Sequence, residues 1–247
     1  LVSMRTRNIL TLTGFWLALP VSALQGLLLR KTAIRLPEAS GCKTGVCGLG
    51  KPVHLLAIGD SIIAGVGTGS VTRSLPVHFA KALAARRKCS VRWRIDGMNG
   101  ADIRHLRNRL EHQDQGQETD VVLISIGVND VTGLSSTRHW ESELKQLIQD
   151  LTIKWPGASV IFAGLPPMSK FPLPPQPLRF TLGHRAATLD AISSELLADQ
   201  PNMLHIPTLI DPGQHDFFKD GFHPSANACR FWAEGLVQRL CSDTFAI

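Results

Sequence analysis

Five short apolar runs, each followed by a stretch with helical periodicity, constrain the fold of this chain more than any other feature. Apolar runs of four to eight residues are typical of strands buried on both faces, and such strands occur in parallel sheets covered by helices. The alternation of strand and helix therefore predicts an α/β fold with a mostly parallel five-stranded sheet and helices on both faces. The predicted strands are Val53–Ile58, Ser90–Ile95, Val121–Ile126, Ser159–Ala163 and Met203–Ile206. The predicted helices occupy residues 75–88, 101–110, 140–153, 178–198 and 225–240.

Polar residues cluster directly after three of these strands and before the last helix. Ligands of open α/β sheets bind beyond the carboxyl ends of the strands, so these loops are where an active site is expected. The four segments are Gly59-Asp60-Ser61, Gly97-Met98-Asn99-Gly100, Gly127-Val128-Asn129-Asp130 and Asp220-Gly221-Phe222-His223.

The residue types in these segments fit nucleophilic catalysis by a serine. A hydroxyl such as that of Ser61 is a weak nucleophile unless a base takes its proton, and His223 can act as that base. Asp220 lies three residues before His223, and from the same loop it can orient the imidazole through the second ring nitrogen. These three residues are the predicted catalytic residues. Asp60 and Asp130 are predicted to hold loops through backbone hydrogen bonds.

An oxyanion intermediate needs hydrogen-bond donors fixed where negative charge develops. Three predicted donors are the backbone N–H of Ser61 at a helix N-terminus, the backbone N–H of Gly100 and the side-chain amide of Asn129. Gly97 is the alternative to Gly100, because both glycines lie in the same loop.

In their order along the chain, the four segments resemble blocks I, II, III and V of the SGNH/GDSL hydrolase superfamily. Ser61, Gly100, Asn129 and His223 match its four letters, Asp220 matches the aspartate of block V, and the leucine of the name motif is replaced by isoleucine. The resemblance covers about residues 53–240. It implies a three-layer flavodoxin-like α/β/α fold, hydrolysis through a serine acyl-enzyme, and no cofactor or metal.

The expected function is that of a serine esterase acting on lipid, lysophospholipid or small acyl esters. Carbohydrate O-acetylesterase and thioesterase activities are alternatives on the same fold, and a non-catalytic membrane-tethered binding module is an alternative of another class. The proline-rich segment 165–178 is either a stiff surface connection or a wall of the site. In the second case Met168, Phe171 and Leu173 would form an apolar acyl pocket.

The N-terminal segment carries a run of 21 uncharged residues, Ile9–Leu29, with basic residues on both sides. A run of this length matches a membrane anchor. A cleaved signal peptide, with Val21-Ser22-Ala23 at the cleavage site, and a soluble amphipathic helix are the alternatives. We expect membrane association on the periplasmic or extracytoplasmic side. The domain prediction is an anchor or signal segment at 1–40, a Gly-rich linker at 41–52 and a hydrolase domain at 53–247.

The net charge of +6 belongs mostly to this N-terminal segment. Residues 1–40 carry five basic side chains and one acidic, whereas the rest of the chain carries 21 basic and 19 acidic side chains. A nearly neutral body lacks the basic stripe that follows a phosphate backbone, so no nucleic-acid partner is expected. Among five cysteines, Cys42 and Cys47 are spaced for a small disulfide, and free thiols are the alternative. No cysteine or histidine spacing predicts a zinc site.

Overall fold

Six strands form one sheet in the computed structural model, which describes residues 4–113, 118–208, 213 and 216–242. The strands are β1 (Thr44–Cys47), β2 (Pro52–Gly59), β3 (Ser90–Gly97), β4 (Val121–Ser125), β5 (Ser159–Ala163) and β6 (Met203–Ile206). Their order across the sheet is β1-β3-β2-β4-β5-β6. β2 to β6 are parallel to one another, and β1 pairs antiparallel with β3 at the edge.

The prediction of a mostly parallel sheet with five strands in this order along the chain is confirmed by β2 to β6. Their spatial order is that of flavodoxin-like folds, in which the chain moves outward in opposite directions from two central strands. Here those strands are β2 and β4, which pair from Leu55 with Val121 to Gly59 with Ser125. The loops after β2 and β4 therefore diverge, and a crevice opens between them.

The sixth strand, β1, lies in the segment predicted as a Gly-rich linker, and that prediction is wrong for residues 44–47. Gly45 pairs with Trp93 of β3, and a Cβ built on Gly45 would lie 2.3 Å from the Trp93 ring. The glycine is therefore required for the indole to cover the edge strand, and it does not mark a flexible connection.

Seven helices accompany the sheet among the described residues. The five that the sequence predicts begin and end within a few residues of their predicted bounds. α2 and α7 pack together as one layer, while α3, α5 and α6 form a second, with α1 packed outside α6. Trp140 of the second layer is fully buried, and its indole N–H donates a 3.1 Å hydrogen bond to Ser193 Oγ. The helices are α1 (Met4–Thr32), α2 (Leu75–Arg87), α3 (Ile103–Glu111), α4 (Val128–Thr132), α5 (Thr137–Lys154), α6 (Leu178–Ala198) and α7 (Ala226–Ser242).

The chain after Ser61 does not form the helix that was predicted to begin there. Residues 61–68 form a series of turns, and α2 begins only at Leu75. Gly65, Gly67 and Gly69 have φ angles of +72°, +88° and +74°, a left-handed region that ends helical structure. Ser61 thus lies in a tight loop whose path is set by glycines.

The N-terminal segment and the cysteines bear on two further predictions. Of the helices whose residues are described here, none combines the length and hydropathy that a membrane span requires. Side chains of α1 are described at Phe15 and from Ala18 onward. All five cysteines are free thiols, so the disulfide expected between Cys42 and Cys47 is not formed and the alternative of free thiols holds.

The close approach of β2 and β4 predicts a large effect for an added methyl group. A Cβ at Gly59 would lie 2.0 Å from the Ser125 carbonyl oxygen, which is backbone and cannot move aside. We expect Gly59→Ala to lower the free energy of unfolding by about 2 kcal/mol or more in urea denaturation. Gly157→Ala is the matched control, because its Cβ would meet no atom within 4 Å. Equal midpoints for the two variants would contradict this account.

Candidate active site

Ser61, His223 and Asp220 are brought together at the carboxyl edge of the sheet, from positions 162 residues apart in the chain. His223 Nε2 lies 3.1 Å from Ser61 Oγ, and His223 Nδ1 lies 2.6 Å from Asp220 Oδ2. Ser61 is buried, and the side chains of Asp220 and His223 are only 5% and 14% exposed. This is the chain of contacts that lets an imidazole remove a proton from a hydroxyl while a carboxylate fixes the ring.

The loop that carries Asp220 is shaped so that the carboxylate binds its own neighbours. Asp220 Oδ1 accepts hydrogen bonds from the backbone N–H groups of Phe222 and His223, both at 3.1 Å. Burial alone would raise the pKa of Asp220. The His223 ring and these two N–H groups lower it by more than burial raises it, so the pKa lies below its ordinary value. The carboxylate is therefore ionised at neutral pH, as the orientation of an imidazole requires.

Backbone pairing at the strand ends positions the other loops of the site. Gly59 pairs with Gly97 of β3 on one side and with Ser125 of β4 on the other, and the Met98 N–H donates to the Gly59 carbonyl. Each loop starts from this row of paired residues, so the predicted site residues two to four positions further on lie in neighbouring turns.

The three predicted oxyanion donors differ in the hydrogen bonds that they make. Among the described residues, the backbone N–H groups of Ser61 and Gly100 have no hydrogen-bond acceptor. Asn129 Nδ2 donates a 2.8 Å hydrogen bond to the carbonyl of Ala101, which ties α4 to the loop of Gly100. An amide carries two N–H donors, so one remains for a ligand.

The choice between Gly100 and Gly97 is clear from their surroundings. A Cβ on Gly97 would lie 2.2 Å from the Ala64 nitrogen, so this residue is enclosed by backbone. Gly100 has a φ of +85° and no atom within 4 Å of a Cβ position. Gly100 is therefore exposed and has free space beside it, whereas Gly97 does not.

Asp60 and Asp130 hold the loops through backbone hydrogen bonds, as predicted. Asp60 Oδ1 accepts from the Ile62 N–H at 3.0 Å, and Asp130 Oδ2 accepts from the Ile103 N–H at 3.1 Å. Asp60 Oδ2 is buried and has no partner among the described residues. Burial and the nearby Asp130 raise the pKa of Asp60 to about 7, and burial raises the pKa of Asp130 to about 6.

An apolar pocket opens beside Ser61 and His223. Its cavity volume is about 50 Å³, and the volume is about 580 Å³ when the open mouth is counted. An aromatic cluster forms one wall, with Phe171 in edge contact with Phe217 and Phe222, and Phe222 against the His223 ring at 5.4 Å between centroids. The apolar lining includes Ile62, Val128, Phe171, Phe217, Phe222, Ala228 and Trp232.

The proline-rich segment contributes to this pocket differently from the prediction. Phe171 lines it together with Pro166 and Pro167, but Met168 is fully buried in the core and Leu173 is bound through its backbone to the Gly221 carbonyl. Met168 begins a single 3-10 turn that packs against α6, which directs its side chain away from the site.

The other walls were missed by sequence reasoning. Phe217 lies three residues before Asp220, Phe222 lies between Asp220 and His223, and Ala228 and Trp232 lie one turn apart on α7. Ala228 and Trp232 are four residues apart, which is also the spacing of helix residues that face a hydrophobic core. The sequence pattern alone therefore does not distinguish a pocket wall from the core.

Comparison with known proteins gives one family match. The model of the GDSL-like lipase/acylhydrolase family matches residues 57–230, which include Ser61, Gly100, Asn129, Asp220 and His223. A search of curated proteins found no match.

Several solved structures share the fold. A family 3 carbohydrate esterase of Clostridium thermocellum aligns with a TM-score of 0.63 at 17% identity, covering 79% of this chain and 100% of that one. A lipase/acylhydrolase of Enterococcus faecalis aligns with a TM-score of 0.60 at 21% identity, over 77% and 96%. An acetylxylan esterase of Geobacillus stearothermophilus aligns with a TM-score of 0.56 at 22% identity, over 78% and 94%. These similarities support the three-layer α/β/α fold.

The buried Asp60 predicts a defined dependence of stability on pH. Its pKa is about 7 in the folded chain and 3.8 as the ordinary value, so between these pH values the folded state binds more protons than the unfolded state. The contribution of Asp60 to the free energy of unfolding therefore falls as pH rises from about 4 to 7. Asp60→Asn keeps an acceptor for the Ile62 N–H but cannot ionise. The free energy of unfolding of this variant, relative to that of the parent, should increase by on the order of 2–4 kcal/mol between pH 4 and pH 8.

Urea unfolding across this pH range measures the effect. Asp199→Asn is the control, because Asp199 is exposed at the end of α6 and its removal changes no buried charge. Parallel stability profiles for the parent and Asp60→Asn would contradict the assignment of a buried titrating carboxyl at this position.

Proposed function

The chain belongs to the GDSL-like lipase/acylhydrolase family and is an ester-bond hydrolase, and from this premise we propose that it uses a Ser61-His223-Asp220 triad. The observation that carries the proposal is the continuous set of contacts from Ser61 Oγ through both ring nitrogens of His223 to Asp220 Oδ2. Each ring nitrogen has its own partner in this set, as proton transfer from a hydroxyl to an oriented imidazole requires.

In the first half of the reaction, Ser61 Oγ attacks the ester carbonyl carbon while His223 Nε2 accepts the hydroxyl proton. The tetrahedral intermediate collapses when the bond to the alcohol oxygen breaks, and the same proton passes from Nε2 to the leaving oxygen. Asp220 accepts a hydrogen bond from Nδ1–H throughout, so that Nε2 carries the lone pair when the serine attacks.

In the second half, water attacks the acyl-serine carbonyl and gives a proton to His223 Nε2. The bond to Ser61 Oγ then breaks, the proton returns to that oxygen, and the acid is released. In both tetrahedral intermediates the oxyanion is bound by the N–H groups of Ser61 and Gly100 and by the second N–H of the Asn129 amide. Removing one such donor from an oxyanion hole reduces kcat by about 10²–10³-fold.

The pocket favours esters with an apolar acyl group. Its walls are aromatic and aliphatic, and it begins at the nucleophile, where the acyl chain of a bound ester must lie. Each methylene group placed in an apolar pocket contributes about 0.8 kcal/mol of binding through removal from water. We therefore infer an acyl chain longer than acetyl, which includes the acyl chains of lipid and lysophospholipid esters.

A carbohydrate O-acetylesterase is the second candidate. It is supported by the similarity to a family 3 carbohydrate esterase and to an acetylxylan esterase. An acetyl group needs no long acyl site, so this candidate predicts no gain in kcat/KM from longer acyl chains.

We further propose that the protein works at a membrane, on its periplasmic or extracytoplasmic side. The support is the uncharged run from Ile9 to Leu29 with basic residues before and after it. A cleaved signal peptide is the alternative that the sequence leaves.

Replacing the nucleophile tests the triad. We expect Ser61→Ala to reduce kcat/KM for p-nitrophenyl butyrate by about 10⁴-fold or more, because the acyl-enzyme can no longer form. The same variant should lose covalent labelling by an organophosphonate, measured by mass spectrometry of the intact chain. Ser242→Ala, at the far end of α7, should keep both properties. Labelling of Ser61→Ala at the parent's rate would exclude Ser61 as the nucleophile.

A series of p-nitrophenyl esters tests the acyl group. We expect kcat/KM for butyrate and octanoate to exceed that for acetate by about tenfold or more. Ala228→Leu fills part of the pocket and should reduce the octanoate-to-acetate ratio about tenfold. The control is Asn227→Leu, one position away and exposed, which should leave the ratio unchanged. A preference of the parent for acetate would favour the acetylesterase instead.

A further inference from the structure

One face of α1 is held against the hydrolase fold by specific contacts. The Phe15 ring lies 5.1 Å from the His184 ring of α6. Further along α1, Gln25 Nε2 donates to the Gln176 carbonyl at 2.8 Å, and Gln25 Oε1 accepts from the Leu178 N–H at 3.0 Å. As α1 runs from Phe15 to Gln25, its partners run from His184 back to Leu178 and Gln176. The two helices are therefore antiparallel.

The inward face of α1 includes two polar residues of the uncharged run. The partly or fully buried positions 15, 18, 19, 22, 25, 26 and 29 recur at intervals of three and four, which places them on one side of the helix. Ser22 and Gln25 are both in this set. The opposite side from residue 21 onward presents four large apolar side chains that are each 50–60% exposed: Val21, Leu24, Leu27 and Leu28.

This distribution differs from that expected for a helix packed on a water-soluble domain, because two polar residues face the domain and four large apolar side chains face away from it. Such a helix turns its apolar residues inward and its polar residues to solvent. Helices in lipid show the opposite arrangement, with small and polar residues at the helix contact and apolar residues facing the acyl chains. Gly26 follows the same rule, because its Cβ position lies 4.0 Å from the Leu178 side chain.

Charge at the end of the helix completes the pattern. Lys31 and Arg35 are exposed directly after the apolar run. The Arg30 guanidinium donates to the Thr132 carbonyl, and Leu134, two residues further in that loop, is a further exposed apolar side chain. Basic residues beside an apolar face attract anionic lipid headgroups.

The length of the contact between α1 and the rest of the fold determines whether lipid can surround this helix. From Phe15 to Leu29 the helix axis advances about 21 Å, and along this length one side of α1 is covered by protein. A hydrocarbon core is about 30 Å thick, so a helix covered by protein on one side over this length is not surrounded by acyl chains as a membrane span would be.

We propose that the outer face of α1, formed by Val21, Leu24, Leu27 and Leu28, lies in one leaflet of an anionic membrane. The helix then rests in the plane of the interface, its inner face remains on α6, and Lys31 and Arg35 contact lipid phosphates. The hydrolase fold is thereby held at the membrane surface in one orientation. This inference does not depend on the triad or on the acyl specificity.

Vesicle co-sedimentation of the full chain tests the surface. We expect binding to vesicles of phosphatidylglycerol and phosphatidylcholine at about 3:7, and weaker binding to phosphatidylcholine alone. The double variant Leu24→Gln and Leu28→Gln should reduce the bound fraction about tenfold or more. The matched control is Leu49→Gln with Ile153→Gln, two exposed apolar side chains elsewhere on the fold, and it should bind as the parent does.

Other outcomes would overturn the proposal. Binding of the Leu24/Leu28 variant at the parent's level would exclude this face as the lipid contact. A parent that is dimeric and a variant that is monomeric, without vesicle binding by either, would assign the face to a second copy of the chain. Hydrolysis of soluble p-nitrophenyl butyrate is measured in parallel and should be equal in all three proteins. Its absence in the parent would reject the proposed esterase reaction and leave the binding result standing.

Discussion

The backbones of β2, β3 and β4 approach one another closely at their carboxyl ends, and the arrangement of the site depends on this approach. Gly59 pairs with Gly97 on one side and with Ser125 on the other. Cβ positions at the two glycines would lie 2.0 Å and 2.2 Å from backbone atoms of neighbouring segments. Since parallel strands are spaced by about 4.8 Å, the loops that follow them start from fixed points. The backbone groups of Ser61 and Gly100 are thus held by main chain, which is stiffer than side chains.

The same region contains two buried carboxyl groups, and their role follows from the hydrogen bonds they accept. Asp60 and Asp130 bind the N–H groups of Ile62 and Ile103, which lie at the start of the loop of Ser61 and of α3. Burial of an ionised carboxylate is unfavourable, and both pKa values are raised accordingly. The fold therefore accepts destabilising groups beside the nucleophile because these groups fix the turns that no regular secondary structure supports.

How much could be predicted from sequence differs between parts of the molecule for physical reasons. The parallel strands were predictable because burial on both faces requires continuous apolar runs. The edge strand β1 was not, because it depends on the Trp93 ring over Gly45, a contact between distant parts of the chain. The helix expected after Ser61 failed because glycine conformation overrides the neighbouring propensities. The site residues could be located since they follow strand ends, but the Trp232 wall depends on how α7 packs.

The contacts between the N-terminal segment and the hydrolase fold are also set by packing and could not be predicted from the local sequence. Ala39 is buried, and its N–H donates to the Ala64 carbonyl in the loop after Ser61. Glu38 Oε1 accepts the N–H of Asn99, and the Asn99 side chain donates to the Leu36 carbonyl. The segment after α1 is therefore part of the framework that supports the Gly100 loop. Because the N-terminal segment is bound both at α6 and at the Gly100 loop, the position of α1 relative to Ser61 is fixed by packing.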